Sequence, residues 1–145
     1  MGALRKGLAV VIGVIVILVG GVYVLSERGG EVVTLQTSTD DGKRRSTHLW
    51  IVDDSGYAWL RAGQPGSRWY QRLLATPKVE LVRAGKTQAY RANVVSTPAA
   101  RELVNRLMAE KYGVAETIIS LMHNEAEVVP IRLEPLDVAG RPTLE

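Results

Sequence analysis

The sequence predicts a mainly β protein with helices (α+β), a small antiparallel barrel with helices packed outside it, preceded by one N-terminal transmembrane helix. Three observations predict it. An uncharged apolar run fills residues 8–25, strand-like runs joined by tight turns fill most of the rest, and two helical patterns lie near the end. The chain divides accordingly into a basic tail (1–7), an anchor helix (8–25), a linker (26–30), a barrel domain (31–136) and a loose tail (137–145).

The run LAVVIGVIVILVGGVYVL occupies 18 positions. As a helix it spans roughly 27 Å, close to a hydrocarbon core of about 30 Å. A cleaved signal peptide is the competing reading, since Arg5 and Lys6 precede the run. The exit, Val22-Tyr23-Val24-Leu25-Ser26, lacks a small-x-small site, which favours a retained anchor in a single-pass membrane protein. Arg5 and Lys6 hold the tail at the cytoplasmic face and so place the domain outside. Arg28 and the cluster Lys43, Arg44, Arg45 on the other flank pull the opposite way.

Within the domain, residues 31–37 (EVVTLQT) are β-branched and partly alternating, and a Ser, Asp and Gly turn follows. Residues 48–52 (HLWIV) and 57–61 (YAWLR), separated by Asp53-Asp54-Ser55-Gly56, read as a hairpin. Ser67 is placed as N-cap of a short helix. There the spacings Trp69 to Leu73 and Tyr70 to Leu74 put side chains in adjacent rows, and Pro77 ends it. Residues 78–83 and 87–95 are two more strands around the turn Ala84-Gly85-Lys86.

Thr97-Pro98 supplies a capping hydroxyl and a first-turn proline for the longest helix of the domain. Its apolar set is Leu103, Val104, Leu107 and Met108, and Gly113 closes it. Residues 115–123 form a second helical piece with Ile118, Ile119 and Met122 on one side. Residues 128–133 form a last strand, which Pro130 confines to an edge or a bulge.

Composition excludes several functions. The net charge is +3, but without Arg5 and Lys6 the rest of the chain holds 16 basic and 15 acidic residues. That balance, clustered only at residues 43–45, is not that of a nucleic-acid binder. The absence of cysteine removes disulfides and thiolate chemistry, and His48 and His123 have no metal-ligand spacing. No Gly-x-Ser-x-Gly elbow supports hydrolase chemistry.

Three features could carry chemistry. Gly42-Lys43-Arg44-Arg45 is a basic turn leading into a strand, able to hold a phosphate or to be a solvated surface run. Gly63-Gln64-Pro65-Gly66-Ser67 leads into a helix start, where free N–H groups favour an anion. Trp50, Trp59 and Trp69 could receive a flat ring or fill a core.

Residues 31–135 resemble the deazaflavin-dependent nitroreductase and quinone reductase family, related to pyridoxamine-phosphate-oxidase-like flavin-binding proteins. The resemblance rests on Gly42-x-x-Arg45-x-x-x-Leu49, Asp54-Ser55-Gly56, the stretch from Trp69 to Pro77 (WYQRLLATP), and the ending from Val129 to Pro135. It implies a split β-barrel, commonly a homodimer, and hydride transfer from a deazaflavin coenzyme to a quinone-like or nitro-aromatic acceptor. Flavin mononucleotide is the alternative cofactor. It also implies cofactor contacts at Lys43, Arg44, Arg45, Gly63, Gly66, Ser67 and Trp69, and a substrate contact at Tyr112.

This chain departs from the family pattern at Thr39-Asp40-Asp41, where a basic stretch is usual, and at Arg61, which stands for a serine near the ring. Ala115 and Ile118 replace tyrosines, and the loop before Trp69 is short. These departures support a second reading, a non-catalytic binding or structural module that has lost the cofactor. An anchored reductase would have the bilayer and a lipophilic small molecule as partners.

Overall fold

The computed structural model describes residues 6–7, 9–17, 30–122 and 124–143. The chain divides into two units, Met1–Gly30 and Glu31–Glu145. In the first, residues 9–17 are helical (α1). Residues 8 and 18–25 of the expected anchor lie outside the described residues. Among the described residues, no helix is long and apolar enough to cross a membrane.

The second unit runs β1 (Val32–Ser38), β2 (Arg44–Trp50), β3 (Val52–Asp54), β4 (Tyr57–Ala62), α2 (Arg68–Ala75), β5 (Lys78–Arg83), β6 (Lys86–Val94), α3 (Pro98–Tyr112), α4 (Val114–Ser120), a 3-10 turn (Glu125–Glu127) and β7 (Val129–Pro135). All strand pairs are antiparallel, in the order β2-β1-β5-β6-β7-β4-β3. The expected strand over 48–52 is therefore two strands, and they lie at opposite edges of one sheet.

That placement dictates the shape. Only Ile51 separates β2 from β3, so the sheet must curl until its two edges meet. The result is the barrel, with a seam where β2 faces β4. Such a crossing removes the Ile51 backbone from the ladder, and a buried unpaired peptide group is costly. Tyr112, at the end of α3, resolves this. Its hydroxyl accepts from the Ile51 N–H at 2.9 Å and donates to the Glu31 carbonyl at 2.6 Å. Lys111 Nζ donates to the Ile51 carbonyl at 2.8 Å.

Strand alternation sorts the side chains into two cores. Val33 and Leu35 of β1, Leu60 of β4, Val79 and Leu81 of β5, and Ile131 and Leu133 of β7 fill the barrel, which Tyr70 and Leu73 of α2 plug. On the outer face, Val52 and Trp59 meet Ala100, Val104, Met108 and Tyr112, one stripe of α3 at four-residue spacing. Trp50 stacks flat on Tyr112, centroids 4.3 Å apart. The Thr97 side chain caps α3 by accepting from the Ala100 N–H. Beyond β7, residues 137–140 form a turn held by a bridge between Leu136 and Pro142.

An ion network ties the same end of the barrel. Arg83 donates to both oxygens of Glu31 (2.8 and 2.9 Å) and of Asp53 (2.8 and 2.6 Å), and Lys111 adds 2.7 Å to Glu31. Chiefly through Arg83, the Glu31 carboxyl is held down to about 2.

If the Tyr112 hydroxyl is what makes the Ile51 crossing tolerable, Tyr112→Phe keeps the ring stack and loses the backbone bonds. It is expected to cost about 1–3 kcal/mol in denaturant unfolding, the penalty of an unsatisfied buried peptide group.

Candidate functional site

A cavity of about 390 Å³ opens at the seam. Each wall follows from a local pattern. His48, Leu49 and Trp50 come from the end of β2, just before the Ile51 crossing. In β4, Ala58, Leu60 and Ala62 point into the barrel, so period-two alternation sends Trp59 and Arg61 outward. Arg61 thereby reaches the cavity, where α3 contributes Asn105 and Met108 and α4 contributes Glu116 and Ile119.

Arg61 and Glu116 form a buried ion pair, their side chains 12 % and 6 % exposed. The guanidinium donates in a fork to both Glu116 oxygens at 2.6 Å and to Asn105 Oδ1 at 3.1 Å. Fork geometry and near-complete burial make this the strongest polar contact between the barrel and α4. The cavity wall therefore carries fixed charges of both signs whose sum is neutral.

The fourth wall is the loop that enters α2. Gly63, Gln64, Ser67 and Trp69 line the cavity there. Ser67 occupies the N-cap position, yet its hydroxyl donates to the Gln64 carbonyl at 2.9 Å and makes no cap bond. The first-turn N–H groups of α2 consequently lack a side-chain acceptor, an arrangement that favours an anion. Gln71 Nε2 donates to the Pro65 carbonyl at 2.7 Å and pins the loop to its own helix.

The sequence candidates separate in space. Gly63, Ser67 and Trp69 meet at the cavity, whereas Gly66 is not among its lining residues. The basic run splits because strand neighbours face opposite ways. Arg44 forks onto Glu80 at 2.7 and 3.1 Å, beside a shallow depression that includes Gln36, Ser38 and Lys78. Arg45 takes the other face, level with Thr37, and is exposed. Lys43 lies 3.4 Å from Asp41, itself bonded to the Thr39 hydroxyl and the Lys43 N–H.

Asp40 and Asp41 occupy the turn before β2. They are some seven residues, or about 23 Å of extended chain, from His48, well beyond a Debye length. Their repulsion of charge at the cavity is correspondingly weak, whereas Arg45, four residues from Asp41, lies much nearer to them. Tyr112 is 7 % exposed, its hydroxyl is occupied by backbone, and burial pushes it up to about 12. It does not line the cavity and reaches it only through the Trp50 ring stacked upon it.

Sequence reasoning passed over Asn105, Glu116 and Arg72. Glu116 is the one charged residue on its helical piece, and that was the available signal. Arg72 donates Nε to the buried Thr37 hydroxyl at 2.8 Å, which brings a second guanidinium to the side of β1 that Arg45 faces. Trp50 and Trp69 line the cavity, while Trp59 is packed in the outer core. His48 Nδ1 lies 3.2 Å from the Thr34 hydroxyl, and His123 lies outside the described residues. Among the described residues no cluster of His, Cys, Asp and Glu could hold a metal.

No protein-family model matches the chain, and no curated protein matches it. Solved structures do. An F420-H2 dependent reductase is similar at 21 % identity and a TM-score of 0.59, over 72 % of this chain and 95 % of that one. A domain-swapped dimer gives 21 % and 0.59 over 72 % and 81 %. A pyridoxamine 5'-phosphate oxidase-like protein from Listeria innocua gives 11 % and 0.58 over 83 % and 94 %. At these identities the likeness is one of fold, and the fold is the split barrel.

The buried pair yields a double-mutant test. Arg61→Met strands a buried carboxylate and is expected to cost about 3–5 kcal/mol of unfolding free energy. Adding Glu116→Leu should recover most of that loss, because a buried pair replaced by apolar groups is often neutral.

Proposed function

We propose that this chain is a membrane-tethered oxidoreductase that binds a deazaflavin coenzyme at the seam cavity and reduces a lipophilic quinone-like or nitro-aromatic acceptor. The observation that carries the reading is the cavity. Its volume falls in the range of small-molecule sites, about 300–1,000 Å³, and it combines aromatic and aliphatic walls with a few fixed polar groups. Similarity to an F420-H2 dependent reductase, F420 being a deazaflavin, adds a fold-level analogy. The tether is read from the apolar run at 8–25.

The residues present fit such a coenzyme in two parts. Trp69, Leu49, Met108 and Ile119 would pack the ring and exclude water, and the uncapped start of α2 and Ser67 would meet a polar edge. Arg45 and Arg72, with no carboxylate partner among the described residues, would hold a phosphate, whereas Arg44 is committed to Glu80. When bound, the reduced coenzyme supplies the hydride. Arg61, held by Glu116 and Asn105, would stabilise negative charge building on an acceptor oxygen without having to reorganise.

The same ion pair favours a second reading. Arg61 and Glu116 pair with each other in a buried fork, so neither charge needs a coenzyme as its partner. Flavin mononucleotide is the other cofactor the split barrel could take.

Fluorescence titration of the full chain in detergent with deazaflavin and with flavin mononucleotide separates these readings. Binding of deazaflavin is expected. Arg45→Ala should weaken it by an order of magnitude or more, since a hydrogen bond to a charged group contributes about 1.5–3 kcal/mol. Arg44→Ala should leave it unchanged. If neither cofactor binds at tens of micromolar, the module reading stands instead.

A further inference from the structure

Helix α4 has two faces of opposite character. Glu116 is buried against Arg61 and Ile119 lines the cavity. On the other side Val114, Ile118, Leu121 and Met122 are 74, 53, 84 and 76 % exposed. Their spacing of four, three and one residues puts them on one stripe of the helix and the turn that follows it. Four large apolar side chains contiguous on a surface mark a contact with something apolar.

Chain connectivity says what that is. Val114 begins two residues after Tyr112, whose hydroxyl lies 2.6 Å from the Glu31 carbonyl, and Lys111 also touches Glu31 at 2.7 Å. Glu31 is where the domain starts, so α4 springs from the pole at which the preceding segment arrives. Exposed Val32 lies at that pole as well. Only residues 26–30 separate the apolar run 8–25 from Glu31, and six residue steps reach at most about 20 Å. If the run 8–25 is the tether, chain connectivity alone keeps Glu31 within that reach of the bilayer.

We infer that the Val114, Ile118, Leu121 and Met122 stripe of α4 is a membrane-docking surface that lies in the interface of the bilayer carrying the anchor. This rests on the tethered-reductase reading. It adds how the acceptor arrives: a lipophilic molecule dissolved in the bilayer meets the outer face of a helix whose inner face, through Glu116 and Ile119, is the cavity wall. The helix lies flat with its apolar side about 5–10 Å below the headgroup boundary.

The chain has no cysteine, so single labels are clean. The full chain, reconstituted into phosphatidylcholine vesicles, carries an environment-sensitive fluorophore at Ile118→Cys or Leu121→Cys. The control is Asp40→Cys, in the exposed turn at the far end of β1. Lipids bearing a shallow nitroxide on the acyl chain should quench the labels at 118 and 121 and leave the label at 40 unquenched. Equal quenching at all three positions overturns the inference. So does shielding of the labels at 118 and 121 in lipid-free detergent accompanied by disulfide cross-linking of the unlabelled Ile118→Cys or Leu121→Cys chain on addition of a mild oxidant, since a second copy would then cover the stripe. Deazaflavin titration of the same vesicles keeps the two readings apart: failed quenching with retained deazaflavin binding removes only the docking of α4, and intact quenching without binding removes only the reductase.

Discussion

A sheet whose edge strands are consecutive in sequence has to close on itself, and the one residue that crosses between them has to find hydrogen bonds outside the ladder. Here that residue is Ile51, and its partners are the Tyr112 hydroxyl and the Lys111 ammonium at the end of α3. The consequences spread outward. The end of α3 is pinned to the seam, Trp50 gains a ring to stack on, and α4 starts from a fixed point at that pole. The cavity exists because β2 and β4 approach each other at the seam without pairing.

Closing the cavity on its outer side falls to Arg61 and Glu116. A buried ion pair is seldom retained for stability, because desolvation offsets most of the attraction. Its retention in a cavity wall is easier to understand as positioning, since it fixes α4 over the opening and sets a guanidinium beside whatever occupies the space. Position 61 owes its role to two elements. Its outward direction is set by β4, but what it does there depends on α4.

Local chemistry was legible in the sequence. The Asp54-Ser55-Gly56 hairpin turn, the Thr97 cap and the halt at Gly113 each depend on residues within a few positions of one another, whereas α2 buries Tyr70 and Leu73, one from each expected row, and leaves Leu74 exposed. The strand break was not legible, because Trp50-Ile51-Val52 is uniformly apolar and the hydroxyl that permits the break is 61 residues away. Glu116 was missed for the same reason, being 55 residues from Arg61. Lys43-Arg44-Arg45 shows the opposite limit. Three adjacent cations look like one site, but a strand turns alternate side chains to opposite faces, and only Arg45 faces the side where Arg72 is held.

The central claim is that the seam cavity receives a flat ring, and the three tryptophans allow a direct measurement. Each contributes one indole N–H signal to a nitrogen–proton NMR spectrum. Trp50 and Trp69 line the cavity, whereas Trp59 lies in the core beneath α3. On titration with deazaflavin the Trp50 and Trp69 signals should move together and saturate at one concentration while Trp59 stays in place. Stationary Trp50 and Trp69 signals at saturating ligand, or movement of Trp59 alone, would contradict the claim.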